Sequence, residues 1–87
     1  MKLRLFYLPN CPHCKRAFAM MEELVAANPA YAEIEVEQIN ERIDRALADK
    51  YDYYLVPTFY LGEEKLFEGV PTREAIEKVY KRALEAK

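Results

Sequence analysis

At 87 residues the chain is long enough for one domain, spanning 1–87, and too short for a second. A hydrophobic fraction of 52 % beside 32 % charged residues excludes disorder, because so apolar a chain buries enough surface to offset the entropy of ordering. With 13 Lys and Arg against 15 Asp and Glu the net charge is -2, which offers no field for a phosphate backbone or anionic lipid, so neither nucleic acid nor a membrane is expected as a partner.

Lys2 to Leu8 is the first expected element. Leu3, Leu5 and Tyr7 alternate with Arg4, Phe6 and Leu8, so apolar side chains point to both faces, as in a central strand covered on both sides. Pro9 stops this run short of a helical signal segment, no small-residue cleavage site follows, and no apolar stretch nears the roughly 20 residues needed to span a bilayer. A soluble, cytoplasmic monomer is the expectation. Pro12 suits the first position of a helix, and Cys14, Ala17, Phe18, Met21, Leu24 and Val25 continue it to about Ala27 on one buried stripe. Lys15, Arg16, Glu22 and Glu23 fall on its wet side, and Asn28-Pro29 ends it.

Glu33 to Ile39 alternates acidic residues with Ile34 and Val36, the pattern of a strand at the sheet margin. Asn40 then caps a second helix striped by Ile43, Ala46, Leu47 and Tyr51. Pro57 to Leu61 and Lys65 to Glu68 read as a hairpin about Gly62, and Thr72 as the cap of a last helix that buries Ile76, Val79, Tyr80, Ala83 and Leu84. The order is β-α-β-α-β-β-α, an α/β domain whose first two strands run parallel through a right-handed crossover.

The chemistry is concentrated in Cys11-Pro12-His13-Cys14, which holds both cysteines of the chain. A secreted disulfide scaffold of this size scatters four or more, so the pair reads as reactive rather than structural. Two cysteines three apart at a strand-to-helix junction can close and open a disulfide without unfolding the domain. The N–H groups of a helix start favour a thiolate at Cys11, and His13 in the first turn adds a donor or a cation beside it. Position divides the roles: Cys11, exposed before the helix, is attacked or attacks first, and Cys14 on the buried stripe resolves the mixed disulfide. A zinc site needs a second half that the sequence lacks, and covalent haem attachment needs histidine where Lys15 follows Cys14. Val56-Pro57-Thr58 has two readings, a loop entering a strand or a cis proline that turns the Val56 backbone outward to pair with an extended thiol substrate. The Tyr51, Tyr53, Tyr54 and Tyr60 cluster reads as core and groove packing rather than a stacking surface for bases.

Phe6-Tyr7-Leu8 running into Cys11-Pro12-His13-Cys14, Val56-Pro57-Thr58 about forty residues later, and a closing hairpin plus helix together resemble the thioredoxin superfamily in its short, glutaredoxin-sized form. The resemblance implies a thioredoxin-like fold, a four-stranded mixed sheet flanked by three helices. It further implies that Cys11 is the nucleophile, Cys14 the resolving thiol, Pro57 a cis proline facing them and Val56 the backbone site for substrate. From their positions, Pro12 and His13 are expected to tune the pair and Thr58 to belong to the docking segment. Leu8 stands where glutaredoxins carry a lysine for glutathione, Glu68-Gly69-Val70-Pro71-Thr72 replaces their glycine pair, and Asn10 and Leu5 replace the tryptophan and buried aspartate of thioredoxins. The expected function is reduction or exchange of disulfides in proteins or small molecules, with a thiol reductant or reductase as the returning partner. No tightly bound cofactor or metal is expected, and glutathione is open as a reductant. The alternatives are a glutathione-assisted iron–sulfur module held through Cys11 and, further off, a zinc-binding structural domain.

Overall fold

Apolar side chains on both faces of one strand require cover on both sides, and the chain meets this by placing its first strand inside the sheet. The structure is a computed structural model describing residues 2–86; Met1 and Lys87, the ends of the expected 1–87 domain, lie outside the described residues. Strand β1 (Leu3–Tyr7) pairs in parallel with β2 (Val36–Asn40) and antiparallel with β3 (Thr58–Leu61), which pairs antiparallel with β4 (Glu64–Glu68). The sheet order is therefore β2-β1-β3-β4, mixed and four-stranded.

Helices α1 (Pro12–Ala27) and α3 (Arg73–Glu85) share one face of this sheet, and the short α2 (Arg45–Ala48) lies over the other. Leu3, Leu5, Phe59 and Leu61 meet Met21 and Leu24 of α1 and Ile76, Val79, Tyr80 and Ala83 of α3 in the larger core. Each such side chain, fully buried, contributes about 1.5–3 kcal/mol, so this face dominates the stability of the fold. The alternate residues turn the other way, where Phe6, Ile39, Tyr60 and Ala48 make the smaller core. Its strength is aromatic: the Phe6 ring lies 4.7 Å from Tyr51, 5.1 Å from Tyr53 and 6.0 Å from Tyr60 between centroids. Arg4 closes that core at the surface, donating through Nε to Glu37 Oε1 at 2.6 Å and through Nη1 to the Tyr51 hydroxyl. Three of the four clustered tyrosines thus pack as expected, whereas Tyr54 is 90 % exposed.

Two expected elements change extent. The strand expected from Glu33 begins at Val36: a 3-10 turn over Pro29–Glu33 takes its first residue, and Ile34 and Glu35 link the turn to the strand. Asn28 opens that turn by accepting the Ala30 N–H on its side chain at 3.1 Å, and Tyr31 is then buried, stacked on Tyr80 with ring centroids 5.1 Å apart and donating to Glu77 Oε2 at 2.9 Å. Burying that ring against α3 outweighs the alternating pattern upstream. The second helix shrinks to Arg45–Ala48, and Asn40 accepts the Arg42 N–H in a turn instead of capping it. Ile43 is left 78 % exposed and Ala46 is also on the surface, while Leu47, Ala48 and Tyr51 do pack. So short a helix gains little from its own hydrogen bonds, and the chain leaves it to deliver Tyr51 and Tyr53 onto Phe6.

The remaining elements stand where expected. Helix α1 runs from Pro12 to Ala27, and Thr72 caps α3 by accepting the Ala75 N–H on Oγ1 at 3.1 Å. Gly62 takes φ 61 in the hairpin, the left-handed conformation that a two-residue turn with glycine first requires. A register shift between Phe59 and Tyr60 sets Glu68, the last residue of β4, opposite Thr58.

Candidate active site

The first strand ends at Tyr7, and the turn Leu8-Pro9-Asn10 delivers the chain to the start of α1, with the Cys11 N–H donating to the Leu8 carbonyl at 3.3 Å. Cys11 is the N-cap: its backbone is extended, at φ -88 and ψ 117, and its Sγ takes the place of the usual cap oxygen by accepting the Cys14 N–H at 3.2 Å. Pro12 fills the next position, where a missing N–H leaves no helical bond unmade. The positive end of the helix therefore points at sulfur.

The two thiols are free and differ in environment. Cys11 is half-buried at the surface, whereas Cys14 is 1 % exposed beneath it. Burial pushes the Cys14 thiol up to about 12, a hydrogen bond with Cys11 and the charge of Glu41 add to the rise, and a backbone hydrogen bond from Leu8 opposes it. Cys14 holds its proton firmly at neutral pH.

His13 lies on the same turn, but its hydrogen bond goes to Arg16. A guanidinium can only donate, so Nδ1 of the imidazole accepts from Nη2 of Arg16. That bond ties the ring to Arg16, one turn along the exposed side of α1.

From across the sheet comes the segment before β3. The Val56–Pro57 peptide bond is cis. The Val56 carbonyl lies 3.9 Å from Cys11 Sγ, whose S–H donates to it. Pro57 and Thr58 are fully buried beneath this contact; the Thr58 hydroxyl donates to the Leu55 carbonyl, and the Pro57 carbonyl accepts the Gly69 N–H at 3.1 Å. Thr58 accordingly braces the segment from inside and presents no surface. Leu55, next to Val56, is 59 % exposed, and Val70, 62 % exposed, follows Gly69, whose N–H donates to the Pro57 carbonyl.

Cys11, Pro12 and Cys14 thus lie together at the start of α1, and the fold brings the Val56 carbonyl, next to Pro57, against Cys11 Sγ. Sequence reasoning missed Leu55 and Val70, which look like ordinary core residues in the primary structure, and the pairing of Arg16 with His13, for which i to i+3 spacing on a helix was the available signal. Among the described residues no group of three or more His, Cys, Asp or Glu side chains is arranged to hold a metal ion, and no helix is long and apolar enough to cross a membrane.

Comparison with known proteins agrees with this geometry. Residues 1–81 match the model of a family described as Thioredoxin domain. A thioredoxin of Methanocaldococcus jannaschii is 37 % identical over 83 residues, covering 95 % of both chains. A probable thioredoxin of Methanothermobacter thermautotrophicus is 31 % identical over 74 residues, covering 85 % of both. Among solved structures, one described as a malarial protein superposes with a TM-score of 0.69 at 17 % identity over 94 % of each chain. Another, the first two thioredoxin domains of a Naumovozyma dairenensis protein, superposes at 0.52 and 23 % identity, covering 95 % of this chain and 35 % of that one. Since the family match runs from the first strand into the last helix and carries the cysteine pair with it, the chain belongs to the thioredoxin domain family.

Proposed function

We propose that the protein is a thiol–disulfide oxidoreductase that reduces or exchanges disulfides of proteins or small molecules through the Cys11/Cys14 couple. One observation carries this reading: Cys11 Sγ sits at the accessible N-cap of α1 with the Cys14 N–H aimed at it, and the Cys14 thiol lies buried one turn behind. Negative charge on Cys11 sulfur is held by that N–H and by the helix end. Attack by this sulfur on a substrate disulfide breaks the S–S bond, releases one substrate thiolate that takes up a proton, and leaves a mixed disulfide. Cys14 then loses its proton and attacks Cys11 sulfur, which frees the second substrate thiol. Two electrons pass to the substrate, the pair becomes a disulfide, and a thiol reductant or reductase restores it.

The Val56 carbonyl beside Cys11 supports a docking role, since an extended polypeptide can pair with exposed backbone there as a short strand. Leu55, the residue before Val56, adds exposed apolar surface that suits a polypeptide disulfide. Pro12 serves the pair by starting the helix beside Cys11, His13 by its place in the same first turn, where its ring is bonded to Arg16, and Thr58 by holding the Leu55 carbonyl. The reading extends to a monomer working in the cytoplasm without a resident cofactor.

Substitution tests the division of labour. Cys11→Ser abolishes disulfide reduction, and Cys14→Ser, mixed with a peptide disulfide, accumulates a covalent adduct visible by non-reducing mass spectrometry. An adduct on the Cys11→Ser protein instead would reverse the two roles.

A further inference from the structure

The exposed segment beside the nucleophile is held by one carboxylate. Tyr54 and Leu55 are among the most exposed large residues of the protein, and a surface loop of this kind is ordinarily loose. Yet the N–H groups of both donate to the same oxygen, Oε2 of Glu68, that of Leu55 at 2.8 Å. The other oxygen, Oε1, accepts the Lys65 ammonium at 2.8 Å, and the Glu68 side chain is 19 % exposed. The register shift in the hairpin places Glu68 at the end of β4 opposite Thr58, whose hydroxyl holds the Leu55 carbonyl from the other side. Leu55 is therefore fixed at both its N–H and its carbonyl. The next residue is Val56, whose carbonyl meets Cys11 Sγ.

We propose that Glu68 is a positioning residue for polypeptide disulfides, its carboxylate clamping the Tyr54 and Leu55 N–H groups so that the Val56 backbone is held ready to pair with substrate. The inference rests on the oxidoreductase reading above and adds to it a residue that touches no reacting atom. A bare ion pair between Lys65 and Glu68 at the surface would need only one carboxylate oxygen; here the second is committed to the loop. Hydrogen bonds to an ionised acceptor are about twice as strong as neutral ones, which suits a carboxylate for restraining exposed backbone. Consistently, Lys65 first, then the two N–H groups, hold the Glu68 carboxyl down at about 2. The other titrating groups near this ion pair are Asp52 and Tyr60, which act on Lys65.

The test uses fully reduced protein in single turnover against two substrates. One is an extended peptide disulfide, which can pair with Val56; the other is a small aromatic disulfide with no backbone to pair. In Glu68→Ala the ratio of the two rate constants, peptide over small disulfide, falls about tenfold, which is about 1.4 kcal/mol. Glu68→Gln, whose amide oxygen can still accept both N–H groups, recovers part of that loss. An unchanged ratio in both variants, or an equal loss on both substrates, overturns the proposal. The second measurement needs no variant to fold: in wild-type protein the Tyr54 and Leu55 amide proton shifts follow one common acid titration. Their failure to do so also overturns it. Inactivity of the wild type toward both substrates marks a different failure, that of the oxidoreductase reading, and the positioning role falls with it.

Discussion

The burial of Cys14 makes its proton the determinant of the second chemical step, and pH is the perturbation that exposes this. The Cys14 thiol is pushed from an ordinary 9.0 up to about 12, chiefly by burial. The thiol form is therefore favoured over the thiolate far more strongly than in an exposed cysteine. The hydrogen bond with Cys11 changes once Cys11 carries substrate, but burial, the larger cause, stays. At pH 7 very little Cys14 is thiolate, and that fraction rises about tenfold for each pH unit while the pH stays below the pKa. Resolution of the mixed disulfide therefore accelerates about tenfold per unit between about pH 6 and 10, with no plateau in that range. Acid-quenched flow, with the protein–peptide adduct followed by mass spectrometry, measures its decay in the wild type. The Cys14→Ser protein, in which the adduct persists, isolates the rate of its formation. A decay rate that levels off at or below pH 8, or that ignores pH, refutes the reasoning, because it means that Cys14 ionises like an exposed thiol or that another group removes its proton.

Three stability measurements follow from the same contacts. The Glu68 carboxyl is depressed from 4.5 to about 2, so the stability it contributes is present above about pH 4.5 and lost as pH falls through about 2; Glu68→Gln flattens the acid limb of a pH series of urea melts. Phe59→Ala removes a fully buried ring from the larger core and costs about 3–5 kcal/mol in equilibrium unfolding, and a loss below about 1 kcal/mol contradicts the burial described. Thr72→Ala deletes the side chain that accepts the Ala75 N–H and lowers unfolding free energy by about 1 kcal/mol, whereas Thr72→Ser retains most of it.

Local chemistry in the sequence determined those elements whose residues answer to neighbours along the chain. Pro12 with the Cys14, Ala17, Met21, Leu24 stripe specifies α1, Thr72 with Ile76, Val79 and Tyr80 specifies α3, and Gly62 marks the hairpin, because caps, turns and helical periodicity act over a few residues. The central place of β1 was legible for a related reason, since apolar residues on both its faces can be covered only from both sides. By the same logic the Cys11-Pro12-His13-Cys14 spacing announced a cysteine pair with one accessible and one buried sulfur. Tertiary structure decided the rest. Burial of Tyr31 against Tyr80 converted the start of a strand into a 3-10 turn, and the pull of Phe6 on Tyr51 and Tyr53 cut the second helix to one turn. Only the packed fold brings Val56 to Cys11, 45 residues apart, and Glu68 to Leu55, 13 apart, since such contacts depend on strand order and on a register shift that no local pattern encodes.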